Sequence, residues 1–267
     1  MLARYWRVLS NPQRLRDAVS RRLSPDAFRS TLGPCPDNPL RFCGMVPDRY
    51  TYNLGKYLQR GGTDCLETRT KFLSGNDRND GDLSRYYFLK LVCDQLLKEQ
   101  IIGDAAELGV WKGNTAAMLA EFTRRTGATA YLLDTFDGFR NDDLKGIDVN
   151  KAMEFADTSM NSVADLVGAD GIKFVKGYFP DTRDHIPIDA RFAFVHIDCD
   201  LYKPFKAGLE FFYPRLVKGG FLVMHDYSSL YWDGVEKAID EFFVDKPETV
   251  IPIPDKCGTA VIRKMDG

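Results

Sequence analysis

The chain has 267 residues, of which 44% are hydrophobic and 28% are charged. This composition is typical of a folded protein with one large domain or two small ones, and it excludes a disordered or fibrous chain. The near balance of 36 basic and 38 acidic residues argues against nucleic acid as a partner of the whole protein. No apolar run is long enough to span a membrane, and the first residues lack the apolar run of a secretory signal. We therefore expect a cytoplasmic protein without nucleic-acid or membrane partners.

The amino-terminal residues differ in charge from the rest of the chain. Residues 1–30 contain seven arginines, no lysine and two aspartates, so this basic arm carries a net charge of +5 and the remaining chain carries −7. The simplest interpretation is a solvated, partly helical extension. A transit peptide and a contact with an anionic surface remain open alternatives.

The six cysteines are spread along the chain without a closely spaced pair of the CxxC type. This pattern predicts mostly reduced, structural thiols, as in a cytosolic protein, rather than a disulfide framework or a zinc site. A disulfide between Cys35 and Cys43 remains an alternative.

The pattern of residues changes near position 84. The segment before it is punctuated by proline and glycine and ends in the polar run Ser74-Gly-Asn-Asp-Arg-Asn-Asp-Gly-Asp, which is typical of a loop. We predict that residues 1–83 form the basic arm and a segment that caps the site or mediates oligomerisation. Residues 84–267 are predicted to form the main domain.

The main domain alternates short apolar runs with segments of helical periodicity. Strands are predicted at 104–108, 129–133, 172–175, 192–197, 221–224, 250–253 and 259–263, and helices at 85–99, 114–126, 151–167, 203–216 and 232–243. Such alternation predicts an α/β fold in which helices cover both faces of a doubly wound, mostly parallel sheet. The last two strands read as a hairpin, so an antiparallel strand is expected at one edge. In such sheets, ligands bind beyond the carboxyl ends of the strands.

The loop after the first predicted strand reads Glu107-Leu-Gly109-Val110-Trp111-Lys-Gly113-Asn114-Thr115. Its glycines allow a tight turn, and the helix that follows offers free N–H groups. The pattern lacks one glycine of the dinucleotide fingerprint and has an acid in front. That acid suits a cationic ligand such as S-adenosylmethionine better than a pyrophosphate. A glycine turn that only packs the helix on the strand is the alternative.

The second predicted strand ends at Asp134, which is followed by Thr135 and Phe136. Asp134 lies about one strand-helix-strand unit after Glu107, where an acid can accept hydrogen bonds from both hydroxyls of a ribose. A solvated turn aspartate is the alternative.

Acidic side chains also follow the fourth and fifth predicted strands. Asp198 and Asp200 follow the fourth strand, and His225 and Asp226 follow the fifth. Neighbouring parallel strands would bring these four together, and carboxylates that meet repel each other unless a hard divalent cation compensates them. Such a cation could lower the pKa of a substrate hydroxyl, while a carboxylate or imidazole accepts the proton. His196 lies inside an apolar strand and is predicted to be a core side chain.

Five motifs together resemble the macrocin O-methyltransferase family, which includes macrolide and aminocoumarin sugar methyltransferases. They are Glu107-Leu-Gly-Val-Trp-Lys-Gly-Asn-Thr, Asp134-Thr-Phe-Asp-Gly-Phe, Lys176-Gly-Tyr-Phe-Pro-Asp-Thr, Ile197-Asp-Cys-Asp-Leu-Tyr-Lys-Pro and Gly219-Gly-Phe-Leu-Val-Met-His-Asp-Tyr. The resemblance covers residues 84–263. It implies a class I methyltransferase fold with a seven-stranded, Rossmann-like sheet, S-adenosylmethionine as the methyl donor, often Mg²⁺, and homodimers or larger homo-oligomers.

The resemblance also implies roles for individual residues. Catalytic roles fall on Asp200, the implied general base, and on His225, and metal ligation falls on Asp198, Asp226 and His225. Cofactor binding falls on Glu107, Gly109, Val110, Trp111, Gly113, Asn114, Thr115, Asp134, Thr135, Phe136, Gly177, Tyr178 and Asp198.

The chain departs from the family pattern at His225, where the sugar methyltransferases have aspartate. Imidazole is a poorer ligand for Mg²⁺ than carboxylate. This change therefore predicts a weaker metal site, a site that prefers a softer ion, or the loss of the site. The expected reaction is methyl transfer to a hydroxyl of a glycosylated or polyhydroxy small molecule. A nicotinamide-dependent oxidoreductase and a non-catalytic cofactor-binding protein are the alternatives.

Overall fold

The computed structural model describes residues 46–50, 53–74, 82–152 and 154–265. The chain divides into two compact units, Met1–Gly61 and Gly62–Gly267. In the first unit, a 3₁₀ turn (Asp48–Tyr50) precedes helix α1 (Leu54–Gln59). The second unit begins before residue 84, so residues 62–83 belong to it. The basic arm and the cysteines at 35 and 43 lie outside the described residues, and the roles predicted for residues 1–83 stay predictions.

Seven strands form one sheet in the larger unit. They are β1 (Asp104–Leu108), β2 (Ala130–Asp134), β3 (Ile172–Lys176), β4 (Phe192–Ile197), β5 (Leu216–Met224), β6 (Ile251–Pro252) and β7 (Ala260–Arg263). Their order is β3-β2-β1-β4-β5-β7-β6. Strands β1 to β5 pair in parallel, and β7 runs antiparallel to both of its neighbours. The predicted α/β fold and terminal hairpin are confirmed, but the antiparallel strand lies second from the edge, and β6 forms the edge.

The larger unit contains six α-helices among the described residues. They are α2 (Leu66–Leu73), α3 (Leu83–Glu99), α4 (Asn114–Thr126), α5 (Met160–Val167), α6 (Tyr202–Phe212) and α7 (Asp233–Phe243). The predicted helix over 151–167 was too long, because α5 begins only after Ser159. The Ser159 hydroxyl caps α5 by accepting the N–H of Ser162, and Phe155 has a φ of +61°, which a right-handed helix cannot accommodate.

The core lies on both faces of the central strands. Every residue of β4 is buried, as expected for a parallel strand with helices on both sides. Large aromatic side chains fill the space between sheet and helices, including Phe192, Phe205 and Phe212. Within the described ranges, none of the helices combines the length and apolar character needed to cross a membrane.

The strand order reverses between β1 and β4, and this reversal opens a crevice beyond their carboxyl ends. The two strand ends approach so closely there that a Cβ on Gly109 would lie 1.9 Å from the carbonyl oxygen of Asp198. Gly109 also has a φ of +89°. Glycine is required at this position on both grounds.

Candidate active site

A cavity of about 620 Å³ occupies the crevice at the carboxyl ends of the strands. It brings together most of the predicted site residues, namely Glu107, Gly109, Val110, Trp111, Asn114, Thr115, Asp134, Thr135, Gly177, Tyr178, Asp198, Asp200, His225 and Asp226. Gly113 and Phe136 do not line it. Gly113 precedes α4 against Val163, and Phe136 is buried with its N–H bonded to Asp134. These two residues therefore support the loops around the cavity and do not form part of its surface.

Asp134 ties the loop after β1 to the end of β2. Its Oδ2 accepts the N–H groups of Val110 and Trp111 at 2.7 and 2.8 Å, and its Oδ1 accepts the N–H of Phe136 at 2.6 Å. Asp134 is therefore not a freely solvated turn residue. Since each carboxylate oxygen has more than one acceptor position, a ligand hydroxyl can still bind there.

Glu107 and His196 form a buried pair at the inner end of the cavity. Oε1 of Glu107 lies 3.0 Å from Nδ1 of His196, while Oε2 of Glu107 has no hydrogen-bond partner within the described chain. Burial and then the nearby Asp198 raise the pKa of Glu107 well above its ordinary range. Burial lowers the pKa of His196 to about 3, so this imidazole is neutral and behaves as the predicted core histidine. The unpartnered Oε2 is suited to a cationic ligand group.

The predicted carboxylate cluster is present at the ends of β4 and β5. Asp198, Asp200 and Asp226 offer carboxylate oxygens within 4.8 Å of one another. Nδ1 of His225 lies 2.9 Å from Oδ1 of Asp198 and 2.9 Å from Oδ2 of Asp226. Asp200 and Asp226 have φ angles of +62° and +64°. Such left-handed backbone is uncommon for residues other than glycine and is typical of functional sites.

The groups of the cluster differ in protonation. Burial, with the charges of Asp226 and Asp198, raises the pKa of Asp200 well above its ordinary range. Burial and Arg85 act to lower the pKa of His225, but Asp198 and Asp226 outweigh them and raise it. Burial opposes ionisation of Asp198, yet the His225 imidazole holds the pKa of Asp198 well below its usual range. A raised pKa makes the ionised carboxylate a stronger base, so Asp200 is the carboxylate of the cluster best suited to accept a proton.

Arg85, which the sequence placed only in a helix, also reaches this cluster. Its Nη1 lies 3.4 Å from Oδ2 of Asp198, and the side chain is 5% exposed. Asp82 caps α3 by accepting the N–H of Arg85 at 3.0 Å, and the Arg85 guanidinium lies over the ring of Phe72. The available signal was an arginine in the first helical turn after an aspartate, but sequence alone does not show that it points into the site. Cys257, also missed, lines the same cavity.

The arrangement of the cluster does not fit a hard divalent cation held by Asp198, Asp226 and His225. Such an ion needs several oxygen ligands directed at it. Here nitrogen donors already contact both oxygens of Asp198 and one oxygen of Asp226. The convergence of carboxylates predicted from the sequence is confirmed, whereas the Mg²⁺ predicted to compensate them has no support in these contacts.

Aromatic side chains form one wall of the cavity. The Phe155 ring contacts the rings of Trp111 and Phe139, with centroids 5.2 and 5.3 Å apart. Trp232 contacts Phe139 at 5.9 Å and Tyr231 at 4.9 Å. We call these five residues the aromatic wall. They lie outside the regular helices and strands, so hydrophobic periodicity could not place them in the site.

Two predicted cofactor residues have strong partners within the chain. The side-chain amide of Asn114 donates to the carbonyl oxygens of Phe72 and Ser74, both at 2.7 Å. The Tyr178 hydroxyl donates to Asp143 at 3.0 Å, and burial raises the pKa of Tyr178. Asn114 thus holds the end of α2 against α4, and Tyr178 is fixed on the wall of the cavity.

Comparisons with known proteins identify the family of the chain. A model of the macrocin-O-methyltransferase (TylF) family matches residues 83–253. The chain is 28% identical over 160 residues to the 8-demethyl-8-(2,3-dimethoxy-alpha-L-rhamnosyl)-tetracenomycin-C 4'-O-methyltransferase of Streptomyces olivaceus, covering 55% of this chain and 61% of that protein. It is 28% identical over 162 residues to the mycinamicin III 3''-O-methyltransferase of Micromonospora griseorubida, covering 54% and 63%. The chain thus spans less than two thirds of the length of these relatives.

Solved structures show the same fold. The O-methyltransferase NovP matches with a TM-score of 0.62 and 21% identity, covering 75% of this chain and 88% of its own. The calicheamicin methyltransferase CalS11 matches with a TM-score of 0.57 and 19% identity, covering 76% and 93%. Since the family model covers more than half of the sequence, including every strand-end motif described above, the chain belongs to the macrocin-O-methyltransferase (TylF) family.

Proposed function

We propose that the protein transfers a methyl group from S-adenosylmethionine to a hydroxyl of a glycosylated or polyhydroxy small molecule. The observation that carries this proposal is one cavity that joins the acids after β1 and β2 to the carboxylate cluster after β4 and β5. Family membership supports the same reaction class and favours it over the nicotinamide-dependent alternative.

The cofactor has suitable partners at the β1 and β2 side of the cavity. The unpartnered Oε2 of Glu107 is suited to the amino group of the methionine part, and Asp134 to the ribose hydroxyls. Gly109 allows the ends of β1 and β4 to approach each other closely beside this part of the cavity. Gly177 and Tyr178 are assigned to the adenine. When bound, the cofactor supplies an electrophilic methyl group on a sulfonium centre.

The acceptor is assigned to the side of the cavity formed by the aromatic wall and the carboxylate cluster. Flat rings such as Phe139, Phe155 and Trp232 offer apolar contact to a sugar ring or an aromatic aglycone, and polar groups nearby can orient a hydroxyl. The names of the curated relatives describe methylation of a rhamnosyl-tetracenomycin and of mycinamicin III. We extend only the class, a glycosylated small molecule, to this chain.

Asp200 is assigned the role of general base. Its raised pKa makes the ionised carboxylate a stronger base, and it lies in the cavity beside Asp226. His225 is less suited to accept the proton, because, despite burial, Asp198 and Asp226 raise the pKa of its imidazole and favour the form that already carries both ring protons. Methyl transfer then depends on proximity of the acceptor hydroxyl and on its deprotonation.

We further propose that the enzyme works in the cytoplasm. Cys65, Cys93, Cys199 and Cys257 are free thiols, which supports a location in the cytoplasm. We also propose a homodimer or larger homo-oligomer, with the small-molecule acceptor as the other partner and without nucleic acid or membrane.

Calorimetry with S-adenosylhomocysteine tests the proposal first. We expect one molecule to bind per chain and NADH not to bind; the reverse preference would support the oxidoreductase alternative. Methyl transfer is then assayed with two probes, the rhamnosyl-tetracenomycin and mycinamicin III acceptors of the relatives. Binding of S-adenosylhomocysteine without turnover on these or other glycosylated acceptors would favour a non-catalytic protein.

A further inference from the structure

Two basic side chains accompany the carboxylates at the ends of β4 and β5. His225 contacts Asp198 and Asp226 through Nδ1, at 2.9 Å from each carboxylate. Arg85 contacts the other oxygen of Asp198 at 3.4 Å. An ionised carboxylate can only accept hydrogen bonds and cannot donate them. Nδ1 of His225 must therefore carry a proton in this arrangement.

Arg85 is a built part of the site rather than a surface side chain that happens to reach it. It is 5% exposed, the capping interaction with Asp82 fixes its backbone, and Phe72 lies 5.5 Å from the guanidinium carbon. Taking a guanidinium out of water is unfavourable unless a negative charge compensates it. The cost is offset here by Asp198, so the two charges depend on each other.

Arg85 and His225 together disfavour the binding of a metal ion to these carboxylates. Arginine stays protonated at any physiological pH, so a positive charge is permanently present beside Asp198. A divalent cation entering between Asp198 and Asp226 would have to displace His225 and approach the buried guanidinium, which would repel it. We propose that Arg85 and His225 take the place of a divalent cation in this site, so that the acceptor hydroxyl is held and deprotonated without metal.

Through its other ring nitrogen, Nε2, His225 can act directly in the proposed reaction. Nε2 is buried, has no hydrogen-bond partner within the described chain, and belongs to a side chain that lines the cavity with Asp200. In the imidazolium form, which carries a proton on each ring nitrogen, Nε2 can donate a hydrogen bond to the acceptor oxygen while Asp200 takes the hydroxyl proton. The oxygen–methyl bond then forms as the methyl–sulfur bond breaks, and its electron pair stays on the sulfur. Arg85 acts through Asp198 and is a positioning residue.

Metal binding tests this inference separately from catalysis. Protein treated with EDTA is titrated with MgCl₂ and with MnCl₂ by calorimetry, with and without S-adenosylhomocysteine, and the metal content of untreated protein is measured by mass spectrometry. We expect no stoichiometric binding. Bound Mg²⁺ or Mn²⁺ would overturn the inference. Bound Zn²⁺ would also overturn it and would point to His225, Asp226 and Cys257, whose ligand atoms lie within 4.8 Å of one another.

A double variant provides the converse test. Arg85→Met with His225→Asp removes both basic groups and adds a carboxylate, so it should gain binding of Mg²⁺ or Mn²⁺. The matched control, Arg85→Met with His225→Asn, adds no charge and should not. A folded double variant that binds neither ion would contradict the inference, and if it does not fold, the titration of the wild-type protein decides.

Turnover separates positioning by Arg85 from a merely structural role. Arg85→Met should reduce turnover by about tenfold or more, and Arg85→Lys, which keeps the positive charge, should reduce it less, while the wild-type rate is insensitive to Mg²⁺ and EDTA. Loss of wild-type activity in EDTA with recovery in Mg²⁺ would overturn the inference. This part rests on the proposed function. A failure to bind S-adenosylhomocysteine would count against that function and leave the metal titration interpretable.

Discussion

Asp200 is the single residue on which the proposed proton transfer depends. Replacement by asparagine keeps the shape of the side chain but removes the basic oxygen, and asparagine tolerates the left-handed φ of +62° at this position. We expect Asp200→Asn to lower turnover roughly a hundredfold or more, with unchanged affinity for S-adenosylhomocysteine. The exposed Asp189→Asn serves as the control for loss of one negative charge. A rate near that of the wild type would move the role of base to another group, His225 first.

Glu107 gives the cofactor site a pH dependence whose sign follows from its surroundings. Burial and the charge of Asp198 raise the pKa of Glu107, so the neutral form persists to higher pH than in an exposed glutamate. A cationic amino group binds the ionised form. Affinity for S-adenosylhomocysteine should therefore increase as the pH rises through the pKa of Glu107, and then level off.

The variant Glu107→Gln separates this effect from other titrations. It should weaken binding of S-adenosylhomocysteine about tenfold or more at neutral pH and remove most of the pH dependence, because the amide cannot ionise. Calorimetry at a series of pH values measures both. Glu210→Gln on the exposed face of α6 is the matched control. An unchanged pH profile in the Glu107 variant would assign the dependence to another group.

At the residue scale, the acids at strand ends are the site residues that follow most directly from the sequence. The α/β alternation fixed which residues follow a strand, and the strand order brings Asp198, Asp200 and Asp226 to one edge, as expected. The sequence did not predict Arg85 as a site residue, because a helical residue reaches a site only through tertiary packing. The sequence did not predict Phe155 as a residue of the cavity wall, because nothing in the local sequence indicates its positive φ.

Among the structural elements, the terminal hairpin depends on the buried Glu248. Its carboxylate accepts hydrogen bonds from the Tyr213 hydroxyl at 2.5 Å and from the Met265 N–H at 3.0 Å, and it lies 3.2 Å from Nζ of Lys264. Burial opposes ionisation, but these donors lower the pKa of Glu248 below its ordinary value. The stabilisation is therefore complete above the ordinary pKa of glutamate and is lost as the pH falls through the lowered value.

We expect Glu248→Gln to lower the melting temperature by about 2–4 °C near neutral pH, since replacing a charged by a neutral hydrogen-bond acceptor costs about 1 kcal/mol. The difference from the wild type should shrink in acid, where the wild-type carboxylate becomes protonated. Thermal unfolding followed by circular dichroism at several pH values measures this. A difference that stays constant down to acid pH would show that packing of the amide, rather than loss of charge, is responsible.

Prediction of the elements themselves was limited where packing overrides local pattern. The apolar spacing across residues 151–167 resembled one helix, but only the second half forms α5, and the first half contributes Phe155 to the aromatic wall. The hairpin was expected from its turn, whereas the position of β7 between β5 and β6 is set by sheet pairing. Local signals gave the existence of these elements, and long-range contacts decided their limits and places.

At the scale of the whole molecule, the charge of the basic arm is separate from the proposed site. Residues 1–30 carry a net +5 and contain none of the family motifs. Deleting them should leave affinity for S-adenosylhomocysteine and the oligomeric state unchanged, as measured by calorimetry and by light scattering after gel filtration. Weaker binding or a smaller particle would instead assign the arm to the site or to the oligomer contact.

Asp82 joins parts of the chain that are far apart in sequence. One of its oxygens caps the helix that carries Arg85, and the other accepts the N–H of Lys256, 174 positions later. During synthesis on a ribosome, the helix and the first four strands emerge long before residue 256. The nascent chain can therefore form most of its sheet before the acceptor side of the cavity is closed. Competence to react should therefore appear only after Lys256 and Cys257, which line the cavity, have left the exit tunnel.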